Sequence, residues 1–326
     1  MKVLHVTNAY PSSQSPIYGI FIKEQIDTLT NPDHKAKVFF INAKKKGKTE
    51  YLKSYFKLLK LAGKYDIIHC HHAFCALLVL LTFPRAKVLV SFLSEGSKEL
   101  TFKTNVIFAE AIYKFIVRKT DGRIFKSTVP QSLRDDRYTF YLPNGVDTKM
   151  FVPMDKNAAK RAIGLSPEKR YILFVSSNMI NRPEKRYDIY KRTVELLKTK
   201  YHFADIEELS LVNIEREKVP FYFCSSELHL LTSEAEGSPN SVKESISCNI
   251  PVVATAVGNV EDMLEGVTDC YVSSGNDPEI LAEYCNKVLN RKSVINIRKY
   301  LFSKEMDMDS VRKKLENIYT VLYIRS

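Results

Sequence analysis

The chain has no tryptophan, and its acids are outnumbered: 37 Asp and Glu against 49 Lys and Arg leave a formal charge of +12 over 326 residues. It has no apolar run approaching the ~18 residues of a membrane-crossing helix. The opening residues read as a strand rather than as the apolar core of a signal peptide, so a cytoplasmic location is expected. Six cysteines, at 70, 75, 224, 248, 270 and 285, form no Cys-x-x-Cys pair and sit among apolar neighbours. That excludes a disulfide framework or a zinc ribbon and reads as reduced core thiols. With 45% apolar residues, the chain can bury two cores of ordinary size and is not disordered.

What is present is a rhythm. Short β-branched runs alternate with longer amphipathic stretches at Val3 to Thr7, Val38 to Ile41, Ile67 to Cys70, Val88 to Phe92 and Ile124 to Lys126. The pattern restarts after Asn144-Gly145 with Tyr171 to Val175, Leu209 to Val212, Leu228 to Thr232, Val252 to Ala254 and Asp269 to Val272. Such alternation predicts βαβ units and an α/β fold of two parallel-sheet domains, with ligands beyond the carboxyl ends of the strands in a cleft between the domains.

The segment richest in chemistry is Glu236-Gly-Ser-Pro-Asn-Ser-Val-Lys-Glu244, which runs into the apolar Pro251 to Ala254. Ser238-Pro239 predicts a helix start, with proline at the first position, where no N–H is needed. Unpaired N–H groups and the positive end of the helix dipole suit a phosphate there, and Gly237 lets the backbone approach a ligand. Two carboxylates beside an anion make sense if they accept hydrogen bonds from hydroxyls flanking it, as the sugars on either side of a pyrophosphate offer. A second reading of Glu244 is open: Ser241-x-x-Glu244 has capping-box spacing, in which the glutamate ties down its own helix start.

This segment resembles the Glu-x7-Glu motif of the family 4 (group 1) retaining glycosyltransferases, which have the GT-B fold. Met1 to Pro11 with Gly19-Ile-Phe-Ile-Lys-Glu-Gln25 resembles the first strand, glycine loop and first helix of that family, and Leu142-Pro-Asn-Gly-Val-Asp147 its interdomain link. The resemblance implies two Rossmann-like domains. Residues 1–145 would bind the acceptor, with a C-terminal helix at about 310–326 packing back on them, and residues 146–309 would bind the nucleotide sugar. It also implies transfer of a hexose from a UDP- or GDP-sugar to a surface polysaccharide or lipid-linked glycan, with retention and no protein nucleophile. No cofactor or metal is expected, on the reading that neither Asp-x-Asp nor another clustered-acid motif accompanies the site, so that cationic side chains and helix N-termini take the metal's role.

Carried over residue by residue, the resemblance gives Glu244 the donor ribose and Glu236 the hydroxyls of the donor sugar. Gly237, Ser238, Pro239, Asn240 and Ser241 would offer backbone groups to the sugar and phosphate, with Gly19 supplying the glycine loop. Lys185, in Pro183-Glu-Lys-Arg186, falls at the pyrophosphate lysine, and together with Glu236 it is assigned to catalysis. Two departures stand out. The arginine usual before that lysine is replaced by Asn178-Met-Ile180, with Arg182 as a substitute. A His-Gly-Ser-Asp segment reads Ser91-Phe-Leu-Ser-Glu-Gly-Ser-Lys98, with Glu95 or Leu93 in the histidine's place. These departures keep open a catalytically inactive binding or scaffolding subunit, with a phosphorylase or epimerase as a weaker reading.

His69-Cys-His-His72 places His69 and His71 on one strand face and His72 on the other, with no acid or cysteine to complete a zinc site. With Glu95, His71 and His72 are candidates for the acceptor cleft. From Thr49 to Lys64, a helix would align Lys53, Lys57, Lys60 and Lys64 beside an apolar face of Leu52, Tyr55, Phe56 and Leu59. That stripe suits peripheral contact with an anionic membrane, the other reading being a helix covering the sheet with its lysines in water. Nucleic acid is not an expected partner, since no aromatic–basic binding motif accompanies the charge.

Overall fold

The computed structural model describes residues 1–13, 15–29, 35–93, 100, 105–176, 182–292 and 296–324. Its contacts divide the chain into two units, Met1–Asn144 with Met308–Ser326, and Gly145–Asp307.

The first unit begins with β1 (Lys2–Thr7), α1 (Ile20–Leu29) and β2 (Lys35–Phe40). Two helices follow, α2 (Ala43–Lys46) and α3 (Thr49–Leu61), and then β3 (Ile67–His71), α4 (Ala73–Leu80) and β4 (Lys87–Phe92). α5 (Val106–Lys119), β5 (Gly122–Phe125) and β6 (Thr139–Tyr141) follow. All six strands pair in parallel in the order β2-β1-β3-β4-β5-β6. β3 is buried at every residue, as a parallel strand covered on both faces must be.

The second unit runs α6 (Lys156–Ala162), β7 (Arg170–Val175), α7 (Tyr187–Thr199), β8 (Ile206–Leu211), α8 (Val219–Cys224) and β9 (Ser226–Leu231). It continues with α9 (Asn240–Ser247), β10 (Val252–Thr255), α10 (Val260–Leu264), β11 (Tyr271–Ser273), α11 (Pro278–Leu289) and α12 (Arg298–Ser303). Its five strands are parallel in the order β11-β10-β9-β7-β8. The chain ends in α13 (Met308–Ile324), which belongs to the first unit. There Val311, Leu315, Ile318 and Leu322 pack with Val3, Leu89 and Ile124 of the sheet.

Two parallel-sheet α/β units are what the alternating pattern predicts. β6 escaped that reading because its three residues, Thr-Phe-Tyr, sit inside a polar loop, and Lys126 lies just past the end of β5. α3 turns toward the protein the face that carries Glu50, Ser54 and Leu58. Its apolar stripe is outward: Leu52 is 63% exposed, Phe56 58% and Leu59 46%. Among the described residues no helix is long and apolar enough to cross a membrane.

Candidate active site

Strand order fixes where a ligand can sit in the second unit. β8 lies on one side of β7 and β9 on the other, so the loops leaving the carboxyl ends of β7 and β9 diverge and open a crevice between them. Lys185 comes from the first loop and Glu236 from the second.

The chain after β7 makes a single turn of 3-10 helix, Pro183–Lys185, and enters α7 through Arg186, whose φ of 51° is left-handed. A non-glycine residue holds that conformation only when its surroundings compensate. Here the Arg186 guanidinium donates to Asp188 at 2.9 and 2.7 Å and to Glu234. Thr232 Oγ1 donates to the carbonyls of Lys185 and Arg186 at 2.9 and 3.0 Å. The Glu234 N–H donates to the Glu184 carbonyl at 2.8 Å. Stitched in this way, the two loops bring Lys185 Nζ to 2.5 Å from Glu236 Oε1, which also accepts from Ser233 Oγ at 2.9 Å. The pair is largely enclosed, at 12% and 13% exposure.

α9 begins at Asn240, later than Ser238-Pro239 predicts. Pro239 is its N-cap rather than its first residue, and no side chain caps it. The Ser238 hydroxyl is engaged elsewhere, accepting from Lys243 Nζ at 3.2 Å. Nor does the capping box form. Ser241 Oγ lies 3.1 Å from His229 Nε2, so its side chain turns inward while its backbone stays at the start of α9. Glu244 Oε1 accepts from Arg216 Nη1 at 2.8 Å, and the Arg216 guanidinium lies 4.7 Å from the centre of the Phe151 ring. A carboxylate that is 8% exposed thus has an oriented cation behind it, leaving it fixed in direction.

Three residues here are absent from the expected site. Arg216 carries no local signal, and neither does His229, whose Nδ1 faces the Leu173 carbonyl at 3.2 Å and which burial holds at a pKa of about 4. Gly258 is the third. Its φ is +56°, and a Cβ there would lie 2.0 Å from the Gly237 carbonyl oxygen, which also accepts from the Asn259 N–H at 3.2 Å. Only glycine lets the loop after β10 support Gly237 so closely. Its sequence signal was a glycine between a strand and a helix start.

The remaining assignments divide. Arg182 pairs with Glu184 of its own turn. Asn178 and Glu95 lie outside the described residues. Gly19 belongs to the first unit, with φ +70° and a would-be Cβ 2.4 Å from the backbone of Ala9, so the loop after β1 closes onto it.

His71 is corrected by its burial, 1% exposed; it does not line a surface. His5 of β1 joins His69 and His71, the ligand atoms of the three lying within 4.8 Å of one another. His5 Nδ1 is 3.0 Å from His71 Nε2, and His69 holds Tyr319 Oη and Ser91 Oγ, both at 2.8 Å. His69 and His71 stack, with centroids 4.1 Å apart. Burial lowers all three pKa values, His5 to about 3, and the charge of Lys126 pushes His69 and His71 the same way. Stacked neutral rings beside a cation suit hydrogen bonding within the core. His72 is half-buried and caps α4, its Nδ1 accepting from the Phe74 N–H at 3.1 Å. Sequence reading also passed over one Asp-x-Asp, at the start of α13, where Asp307 is buried and Asp309 lies 3.9 Å from Arg312.

Residues 197–291 match the family described as group 1 glycosyl transferases. The matched group 1 span takes in Arg216, Glu236, Glu244 and Gly258, and Lys185 precedes it. A lipopolysaccharide core biosynthesis mannosyltransferase, LpsB, from Rhizobium meliloti is 27% identical over 198 residues, 51% of this chain and 56% of that protein. The chain therefore spans little more than half the length of that curated relative. Among solved structures, a sucrose-phosphate synthase from Thermosynechococcus elongatus covers 100% of both chains with a TM-score of 0.75 at 14% identity. HepE from Anabaena in complex with UDP covers 98% of this chain and all of that one, with a TM-score of 0.73 at 14% identity. At such identities the likeness establishes the fold, that of the GT-B glycosyltransferases.

Proposed function

We propose that this protein is a cytoplasmic retaining glycosyltransferase of family 4, moving a hexose from a UDP- or GDP-sugar to a surface polysaccharide or lipid-linked glycan. The observation that carries the reading is the enclosed Lys185–Glu236 pair, 2.5 Å apart at the strand switch point and just ahead of α9. Without a donor, the two charges satisfy each other. A bound diphosphate gives the ammonium a new partner and frees the carboxylate for the sugar hydroxyls. In transfer, the bond from the anomeric carbon to the β-phosphate oxygen breaks and one to the acceptor oxygen forms. The acceptor's proton passes to the departing phosphate. Negative charge grows on the diphosphate, where Lys185 and the N–H groups at the start of α9 stabilise it. Glu244, held by Arg216, takes the ribose.

The acceptor role falls to the first unit. The outward Leu52, Phe56 and Leu59, beside Lys53, Lys57 and Lys60, support peripheral contact with anionic lipid, which would bring the enzyme to a lipid-linked acceptor. Glu236→Ala tests the reading: the variant folds and loses transfer by ~100-fold or more, whereas wild-type turnover would sink it.

A further inference from the structure

Lys243 is fully enclosed, 0% exposed, in the middle of the helix that begins the donor site. Every residue of α9 after Asn240 is buried, so the lysine has no route for its charge to water. Side chains on a helix lean toward its N-terminus. This one reaches back past the start of α9 to Ser238 Oγ, at 3.2 Å. Another buried lysine, Lys160, spends its ammonium on two backbone carbonyls, Pro167 at 3.0 Å and Lys169 at 2.6 Å. Lys243 Nζ lies at the turn between Glu236 and α9, where helix N–H groups already make the surroundings electropositive.

We propose that Lys243 is a positioning residue that takes up a proton when the donor's diphosphate settles at the start of α9, adding a buried positive charge beneath the Ser238 turn that Lys185 alone does not supply. The inference rests on the donor-site reading above. The charged and titratable groups on the elements around α9 are otherwise committed. Arg216 holds Glu244, His229 holds Ser241 and Arg298 holds Ser247, while Cys224 Sγ donates to the Val152 carbonyl at 3.4 Å and Cys248 is buried. Burial lowers the Lys243 pKa to about 7, with the Glu244 carboxylate opposing the shift. At neutral pH the amine is therefore partly unprotonated, and an adjacent dianion restores its proton. Donor binding and proton uptake are then linked, and the site discriminates for an anion at that spot rather than for a sugar alone.

The test is calorimetry of the whole protein with UDP-glucose and with GDP-mannose at pH 8, in HEPES and in Tris, whose different ionisation enthalpies report protons exchanged. Whichever donor binds should bring net proton uptake at pH 8 that shrinks as the pH is lowered and the free amine becomes charged. Lys243→Met should still bind, ~10-fold more weakly, with no uptake and a raised melting temperature, since the fold no longer has to strip a proton from an amine that is charged in the unfolded chain. Lys243→Arg, charged at every pH, should bind without uptake. Binding by the wild type without uptake, or unchanged uptake in Lys243→Met, overturns the role of Lys243 and leaves the donor site standing. Failure of the wild type to bind either nucleotide sugar overturns the donor reading itself, and this inference with it.

Discussion

Replacing Arg216 with alanine tests whether Glu244 is held by its cation or merely lies near it. In the folded protein the Glu244 side chain is 8% exposed and that of Arg216 is 16%, with Nη1 and Oε1 2.8 Å apart. Truncating one partner of a buried pair leaves the other charge without compensation, at about 3–5 kcal/mol. Loss of the stacking on Phe151 adds about 0.5–1 kcal/mol. A fall of ~4 kcal/mol is a large share of the 5–15 kcal/mol by which a domain is stable. Hydrogen exchange of the β9 and β10 amides reports the second unit by itself, and their protection should drop ~1000-fold. The double variant Arg216→Met/Glu244→Gln, which replaces the charges by groups of similar size, should recover to within ~1 kcal/mol of wild type. A loss below ~1 kcal/mol for Arg216→Ala, or simple additivity in the double variant, would refute the claim that the pair is a coupled, buried unit.

Acid should weaken both units. Burial holds His5 at about 3 and His229 at about 4, against ~6.5 unfolded. Below pH 6.5 the unfolded chain binds protons that the fold refuses, so this stability is complete above 6.5 and declines as pH falls toward the folded values. Each should lose ~2 kcal/mol by pH 5, seen as a lower urea midpoint at pH 5 than at pH 7.5; equal midpoints would contradict it. For the outward face of α3, Lys53→Glu, Lys57→Glu and Lys60→Glu together should weaken sedimentation with vesicles containing anionic lipid by ~100-fold or more, at roughly 1 kcal/mol per lysine. Undiminished sedimentation removes the membrane from the account.

How much of this was legible depended on the range of the contact. Strand and helix alternation is local, so the two parallel-sheet units could be read directly, and Glu236, Gly237 and Glu244 stood out within one short segment. The pairing of Lys185 with Glu236 depends on β7 and β9 lying side by side, a consequence of strand order that no local pattern encodes. Arg216, His229 and Gly258 escaped for the same reason, each acting on the site from another loop or strand. His5 changed the reading of His69 and His71 because β1 lies beside β3. The start of α9 was misplaced because Ser238 has two possible uses, as a cap or as an acceptor, and Lys243 selects the second. On α3 both faces were legible, but not which one meets the protein. Glu50, Ser54 and Leu58 hold the inward side, although a hydropathy pattern would favour Leu52, Phe56 and Leu59.

The most direct test of the central claim is a thermal-shift and donor-release screen of the wild type and of Lys185→Ala against UDP- and GDP-sugars. The account predicts that one nucleotide sugar raises the melting temperature of the wild type by mass action and is slowly released as its nucleotide, and that both effects fade in Lys185→Ala. Stabilisation without release, even with acceptor supplied, would point to the inactive binding subunit. No stabilisation by any nucleotide sugar would contradict the donor site itself.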